Sequence, residues 1–416
     1  MEIKLKKIYL LEYILLLCYV FYVFIAHWIW YGRGIQESLM ILISIVILFG
    51  YLIKDKFWKV RPYQLINFVI IFILICICFW GILNANTQIY LIQDLKAMVG
   101  TVIVSFGIIV SIRKLIQGGH DFWGYTFKFL NIYYFLNNCI ILIQYFVPYF
   151  LMNRGAIASV NNVAYYDQLT GFFGINGTTR WDVWGIFLIL LNFYYYYKRN
   201  DKKIMIYNVF LIVFTSIISM LNSARSFLII APMLIAVYLL VVHQTMLKKR
   251  VKQIIVVFGV IGIGVLVYNH NSYVNEFIND LIEDKVTVYL TFDLDYMVET
   301  NDDRAKALDY VLDEGKEFGL GIGSVPMHSS TKTVKYIGLN SISTYILMIG
   351  KYGYLLWTYM LASFAIKWDR KKRFTKGIIY FCILIILSYF LPIYSGLTLL
   401  PAVLLIFYLY SLDSSS

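Results

Sequence analysis

Charge is scarce in this chain: only 14% of its 416 residues are Asp, Glu, Lys or Arg, against 60% hydrophobic and 18% aromatic. Soluble domains carry about 25% charged and about 45–50% apolar residues, so the composition excludes a cytosolic enzyme and a disordered scaffold. Cysteine is scarcer still. The five, Cys18, Cys76, Cys78, Cys139 and Cys382, all fall in apolar runs, which excludes a disulfide-stapled secreted domain. Cys76-x-Cys78 lacks the second ligand pair that zinc requires, and all five cysteines are expected to be buried hydrophobes. With a mean hydropathy of +0.71, the class that remains is an all-α polytopic integral membrane protein: a transporter, a channel or a membrane-embedded enzyme.

Long apolar runs are what the sequence has in excess. Crossing about 30 Å of hydrocarbon takes roughly 20 residues, and twelve runs are candidates: Ile8–Trp30, Ser38–Ile53, Gln64–Leu83, Leu91–Ile112, Phe122–Leu151, Trp181–Tyr197, Ile204–Leu221, Ser226–His243, Gln253–Asn269, Leu339–Ile366, Ile378–Tyr394 and Gly396–Leu412. Only Tyr394, Ser395 and Gly396 divide the last two, so the count is 11–13. The first run follows Lys4, Lys6 and Lys7. It is too long for a signal-peptide core and ends in His27-Trp28-Ile29-Trp30 without a small-residue cleavage site, which predicts a span.

The net charge of +12 would suggest a nucleic-acid partner in a soluble protein. In a membrane protein its distribution matters more, because short cytoplasmic loops are enriched in Lys and Arg. With the N-terminus inside, the cytoplasmic segments hold 23 basic and six acidic residues, and the outer segments ten basic and sixteen acidic. Charge therefore reports orientation, with both termini cytoplasmic, and implies no nucleic acid.

Residues 1–416 are expected to form one transmembrane domain with two long outer segments, 152–180 and the acidic 270–338. In the second, Ser272–Glu283 has helical apolar spacing and predicts an amphipathic helix. Val286 to Leu294 mostly alternate, which is strand-like or extended. Thr300 and Asp303 resemble a capping box opening a helix from about Asn301 to Glu317, with Ala305, Leu308, Val311 and Leu312 on its buried side. Gly319-x-Gly321-x-Gly323 then returns the chain to the membrane as a hinge or close-approach segment, outside the strand-to-helix setting of a dinucleotide site. No internal repeat relates the two halves, unlike many secondary transporters.

Arginine is rare on the outer side: Arg33, Arg154, Arg180, Arg225 and Arg304 are the only ones. Arg225 sits in the tight turn Leu221-Asn222-Ser223-Ala224-Arg225-Ser226, and Arg180 at the mouth of the sixth span. Both fall at headgroup depth, where guanidinium forks suit a diphosphate. The other open reading is snorkelling to lipid phosphates or pairing with Asp167 or Asp182. Arg304 lies among Asp302, Asp303 and Asp309, where an intrahelical ion pair is the plain alternative. His328 suits a base or phosphate contact as well as a solvated loop position. Asp94 and Lys96, about one turn inside the fourth span, are open to pairing with neighbours or touching a polar substrate. Lys351 lies deeper and needs a partner or a watery cavity. Asp293-x-Asp295 has a metal-nucleotide form, but two acids among thirteen in one loop fall at that spacing readily. No metal or cofactor is expected.

Taken together, several motifs resemble the O-antigen polymerase and O-antigen ligase superfamily of bacterial envelope proteins. Asp303-Arg304-Ala305-Lys306-Ala307-Leu308 leading to Phe318-Gly319-Leu320-Gly321-Ile322-Gly323 is similar to the family's arginine-bearing loop helix and glycine-rich return. Leu339-Asn340-Ser341-Ile342 with Gly350-Lys351-Tyr352-Gly353 resembles the His-Asn start and Glu-x-Gly end of its next helix. Asn222-Ser223-Ala224-Arg225-Ser226 is similar to its Ser-x-Arg turn, and Arg180 to an arginine at the outer end of its sixth helix. Leu339 stands where ligases place histidine, which points to polymerase over ligase, and Lys351 stands where glutamate is common.

The resemblance implies a membrane-embedded C-type glycosyltransferase fold and a bacterial plasma-membrane location. It implies a glycan on a polyprenyl diphosphate as donor and a lipid-linked repeat unit as acceptor, joined on the outer face into O-antigen, capsular or exopolysaccharide. On that basis Arg225, Arg180, Arg304 and His328 are the expected catalytic set, and Asp94, Lys96 and Asn340 the expected substrate contacts. Membrane lipid, a chain-length regulator and a flippase are the expected partners. A flippase of the same lipid-linked oligosaccharide is the competing class, and would place its cations between two similar halves with short outer loops.

Overall fold

The computed structural model describes residues 9–29, 33–54, 62–83, 88–152, 169–174, 177–222, 226–238, 303–314, 317–323, 341–365, 373–394 and 397–412. Among these residues every regular element is a helix. In chain order they are α1 (Leu10–Phe21), α2 (Arg33–Lys54), α3 (Pro62–Leu83), α4 (Gln88–Gln117), α5 (Phe122–Phe146), α6 (Thr178–Arg199), α7 (Lys202–Leu221), α8 (Ser226–Val237), α9 (Asp303–Glu314), α10 (Ser341–Ala365), α11 (Arg373–Phe390) and α12 (Leu399–Leu412). A π-helical turn, Tyr22–Ala26, and a short α-helical turn, His27–Ile29, extend α1, and a 3-10 turn, Gly171–Phe173, precedes α6. Eleven of the twelve apolar runs overlap a described helix; Gln253–Asn269 lies outside the described residues, as do the expected helix Ser272–Glu283 and the extended stretch after it. Among the described residues, five helices are long and apolar enough to cross a membrane.

The helices sort by how much of their surface is apolar and covered. α1, α2, α3, α5 and α7 turn Leu17, Leu42, Phe72, Phe129 and Ile206 outward, an apolar belt suited to lipid. α6 and α12 are covered on all sides: every residue from Trp181 to Phe193 and from Leu397 to Leu409 is buried. A helix walled in all round must be central. α12 packs against α4, α6 and α10; α6 gathers α5, α7 and α8; α1, α2 and α4 form a layer beside them; α10 packs on α3, α9 and α11. Ser44 meets Gly107 where α2 crosses α4, and a Cβ on that glycine would lie 2.6 Å from the serine Cβ.

Lipid tails are as apolar as leucine, so close packing and interhelical hydrogen bonds must hold such a bundle. Both are present. Asn131 of α5 and Asn192 of α6 exchange side-chain hydrogen bonds of 2.9 and 2.8 Å, and Asn192 also donates to Asn208 of α7 at 3.2 Å. Further along, Asn138 of α5 accepts from the Trp181 indole at 2.7 Å and donates to Thr215 of α7 at 3.3 Å. These amides form a polar seam through α5, α6 and α7. Asn192→Leu is expected to cost about 1–3 kcal/mol, from two to three intramembrane side-chain bonds. Unfolding in detergent measures it, and an unchanged midpoint would contradict the role.

One end of the bundle carries Glu12, Lys114, Asp121 and Lys198. Lys114 pairs with Glu12 at 3.1 Å. Asp121, just before α5, caps that helix by accepting from Gly124 N, and also takes bonds from the Tyr195 hydroxyl and Lys198. Burial alone would raise the Asp121 carboxyl. The bonds from Tyr195, Lys198 and Gly124, with the lysine's charge, outweigh it and hold the group below its ordinary value. The contribution is therefore complete above the unfolded value of about 3.9 and vanishes as pH falls through the folded one. Acid titration of thermal stability should show a step in the wild type that Asp121→Asn lacks; identical profiles would refute it.

The cysteines correct one expectation. All five are free, yet none is fully buried: Cys76 and Cys382 are exposed and the other three intermediate. A helix facing lipid has no need to hide an apolar thiol.

α10 is broken inside its apolar run. Gly350 adopts φ 79° and ψ 169°, outside the helical region. A break there frees carbonyls that would otherwise accept from residues four positions on. Leu347 O and Met348 O instead accept from the backbone N–H groups of Leu320 and Gly321, at 2.8 and 3.2 Å. The close approach read from Gly319, Gly321 and Gly323 is thus present, with positive φ at each, as a strap laid into the gap in α10.

Candidate functional site

The opposite end of the bundle gathers the described candidates. Arg180 stands in the first turn of α6 and donates from Nη2 to the carbonyl of Phe173 at 2.8 Å. The turn that carries this carbonyl is held from α5. Asn137 accepts from Phe172 N at 2.7 Å and donates to Thr170 O at 3.3 Å, and Gln144 accepts from Gly171 N at 3.1 Å. Thr170 closes the turn on Gly174 O at 2.7 Å. Gly174 in turn abuts the His27 carbonyl, where any Cβ would collide. The guanidinium is therefore aimed by a turn that buried amides fix, while the side chain itself stays half-buried.

Two residues further along α6, Asp182 is 1% exposed and accepts a hydrogen bond from the hydroxyl of Ser226, the first residue of α8. Its other oxygen has no hydrogen-bond partner among the described residues. This bond ties the start of α8 to the start of α6. Arg225 precedes Ser226 in the chain and lies outside the described residues, as do His328 and Asn340.

Asp94 and Lys96 occupy one end of α4 but do different things. Asp94, 4% exposed, accepts from Gly323 N at 3.1 Å and so latches the end of the glycine strap. Lys96 reaches outward and pairs with Glu37 at 3.1 Å; the other Glu37 oxygen accepts from the Tyr22 hydroxyl at 2.5 Å. Tyr22 opens the π-helical turn, and its ring packs against His27, with centroids 4.8 Å apart. A π turn re-aims the side chains around it and recurs at functional sites. The route from Lys96 through Glu37, Tyr22, His27 and Gly174 leads to the turn that holds Arg180.

Arg304 falls in the first turn of α9, which spans Asp303–Glu314 within the expected helix. Ala305 and Val311 are buried as predicted, whereas Leu308 and Leu312 are half-buried. Lys351 has found its partner: Nζ donates to Leu312 O, in the last turn of α9, at 2.8 Å. Among the described residues no group of three His, Cys, Asp or Glu could hold a metal ion.

Sequence reading missed Glu37, Tyr22 and Ser226 as members of this end. Glu37 carried a signal, being an acid near the predicted start of a span. Tyr22 and Ser226 carried none, since a buried tyrosine and a helix-start serine are ordinary. Compared with known protein families and with curated proteins, the chain finds no match.

Proposed function

We propose that this protein polymerises polyprenyl-diphosphate-linked oligosaccharide repeat units on the outer face of the bacterial plasma membrane. In this reading the twelve spans leave both termini cytoplasmic, and residues 270–338 cover the sugars. The observation that carries it is the anchored Arg180. It lies at the bundle end opposite the ion pairs Lys114–Glu12 and Lys198–Asp121, and its direction is set before any substrate arrives. A preorganised guanidinium stabilises charge developing on a leaving diphosphate without reorganisation at the moment of reaction.

The terminal sugar hydroxyl of the newly delivered unit attacks the anomeric carbon of the growing chain. A new glycosidic C–O bond forms and the bond from that carbon to the phosphate oxygen breaks. Polyprenyl diphosphate leaves with its charge on Arg180 and Arg225, Arg304 holds a donor or acceptor phosphate, and His328 takes the hydroxyl proton or orients the acceptor. Asn340 and Lys96 are the remaining substrate contacts, while Asp94 contributes by holding the strap. Aromatic side chains offer stacking faces for pyranose rings. A chain-length regulator and a flippase are the partners this reaction needs.

Purified protein in vesicles loaded with lipid-linked repeat units, without an ion gradient, tests the reading. Polymer longer than one unit supports it. Translocation without polymer assigns a flippase, and transfer onto a different lipid acceptor assigns a ligase-type enzyme.

A further inference from the structure

α9 has an unusual end. Its last turns hold Asp309, Asp313 and Glu314 and no basic residue, although a helix C-terminus already carries partial negative charge and favours cations. A cation reaches this end from α10. Lys351, the residue after the break in α10, places its ammonium on Leu312 O at 2.8 Å. The same break accepts the strap that follows α9, through Leu320 and Gly321. Ala305, Ala307 and Val311 are buried, and α9 packs on α10. One interruption in one helix thus receives both the end of α9 and the chain leaving it.

We propose that Lys351 is a positioning residue: by placing a cation from α10 on a C-terminal carbonyl of α9, it fixes α9, and with it the backbone position of Arg304, on the bundle. The inference rests on the reading that Arg304 holds a phosphate, and it makes α9 a fixed wall of the site. A hydrogen bond from a charged donor held in this way is lost entirely with an apolar side chain and kept by arginine, whose guanidinium also donates to carbonyls.

The experiment uses full-length protein with its native cysteines replaced by alanine and spin labels at Asp313→Cys and Leu355→Cys, both exposed positions. With Lys351 present, the inter-label distance distribution is expected to be narrow. Lys351→Met should broaden it and lower the polymerisation rate about ten-fold or more, the scale of one charged hydrogen bond; Lys351→Arg should restore both. If Lys351→Met does not accumulate, Lys351→Gln, which keeps a shorter neutral donor, should give partial broadening and a partial loss of rate. A narrow distribution in the methionine or glutamine variant overturns the proposal, whereas a broad one with a normal rate overturns the reading that α9 serves the site. Separately, Arg304→Ala in otherwise native protein tests the underlying reading. A normal rate there removes the phosphate role of Arg304, while the distance measurement still decides whether Lys351 anchors α9.

Discussion

Arg180→Ala should reduce polymer synthesis at least about a hundred-fold, the range seen when one preorganised donor to a developing negative charge is removed. The side chain has two jobs that can be separated. In the structure it donates to the Phe173 carbonyl, and in the proposed reaction it stabilises the leaving diphosphate. Arg180→Lys keeps a positive charge and a single donor nitrogen but loses the planar fork that matches phosphate oxygens. It should recover only a small part of the rate, at normal protein level and stability. The readouts are ladder length in cells and initial rate in vesicles, each normalised to protein in the membrane. Wild-type ladders from Arg180→Ala would remove the diphosphate assignment.

Gly350→Ala should have the largest effect on folding. At φ 79° and ψ 169° the backbone is in a region that is essentially glycine's alone. A Cβ there would strike the Glu317 carbonyl and come 2.6 Å from Phe318 Cα. Backbone strain and displacement of the strap together cost about 3–5 kcal/mol. Little of the variant should accumulate, and what does should unfold well below the wild type. Gly50→Ala is the control: nothing lies within 4 Å of that position in α2, and alanine favours the helix by about 1 kcal/mol. Equal stability of the two variants would mean that the break in α10 is dispensable.

Apolar length made the helices legible, because a run long enough to cross lipid has few other structures open to it. The apolar run beginning at Phe122 continues to Leu151, whereas α5 stops at Phe146; Tyr149 and Leu151 then take positive φ, which hydropathy does not register. The break at Gly350 was hidden for the same reason, since apolar residues flank it. Arg180 was legible as a rare cation at a span mouth. Its orientation was not, because its partner is a backbone carbonyl, and every residue has one. Leu312, the acceptor for Lys351, is the same case. The pairing of Lys96 with Glu37 joins residues 59 positions apart, a separation at which one sequence offers no way to choose among partners.

The seam of Asn131, Asn138, Asn192 and Asn208 also bears on biogenesis. Each of α5, α6 and α7 must enter the bilayer bearing amides that hydrocarbon does not solvate, and the side-chain partners of these amides lie on the neighbouring helices of the three. Leaving the translocon one at a time would strand those groups in lipid. The three helices are therefore best suited to partition together, so that this part of the bundle is assembled as a hairpin-plus-one unit at the moment of insertion.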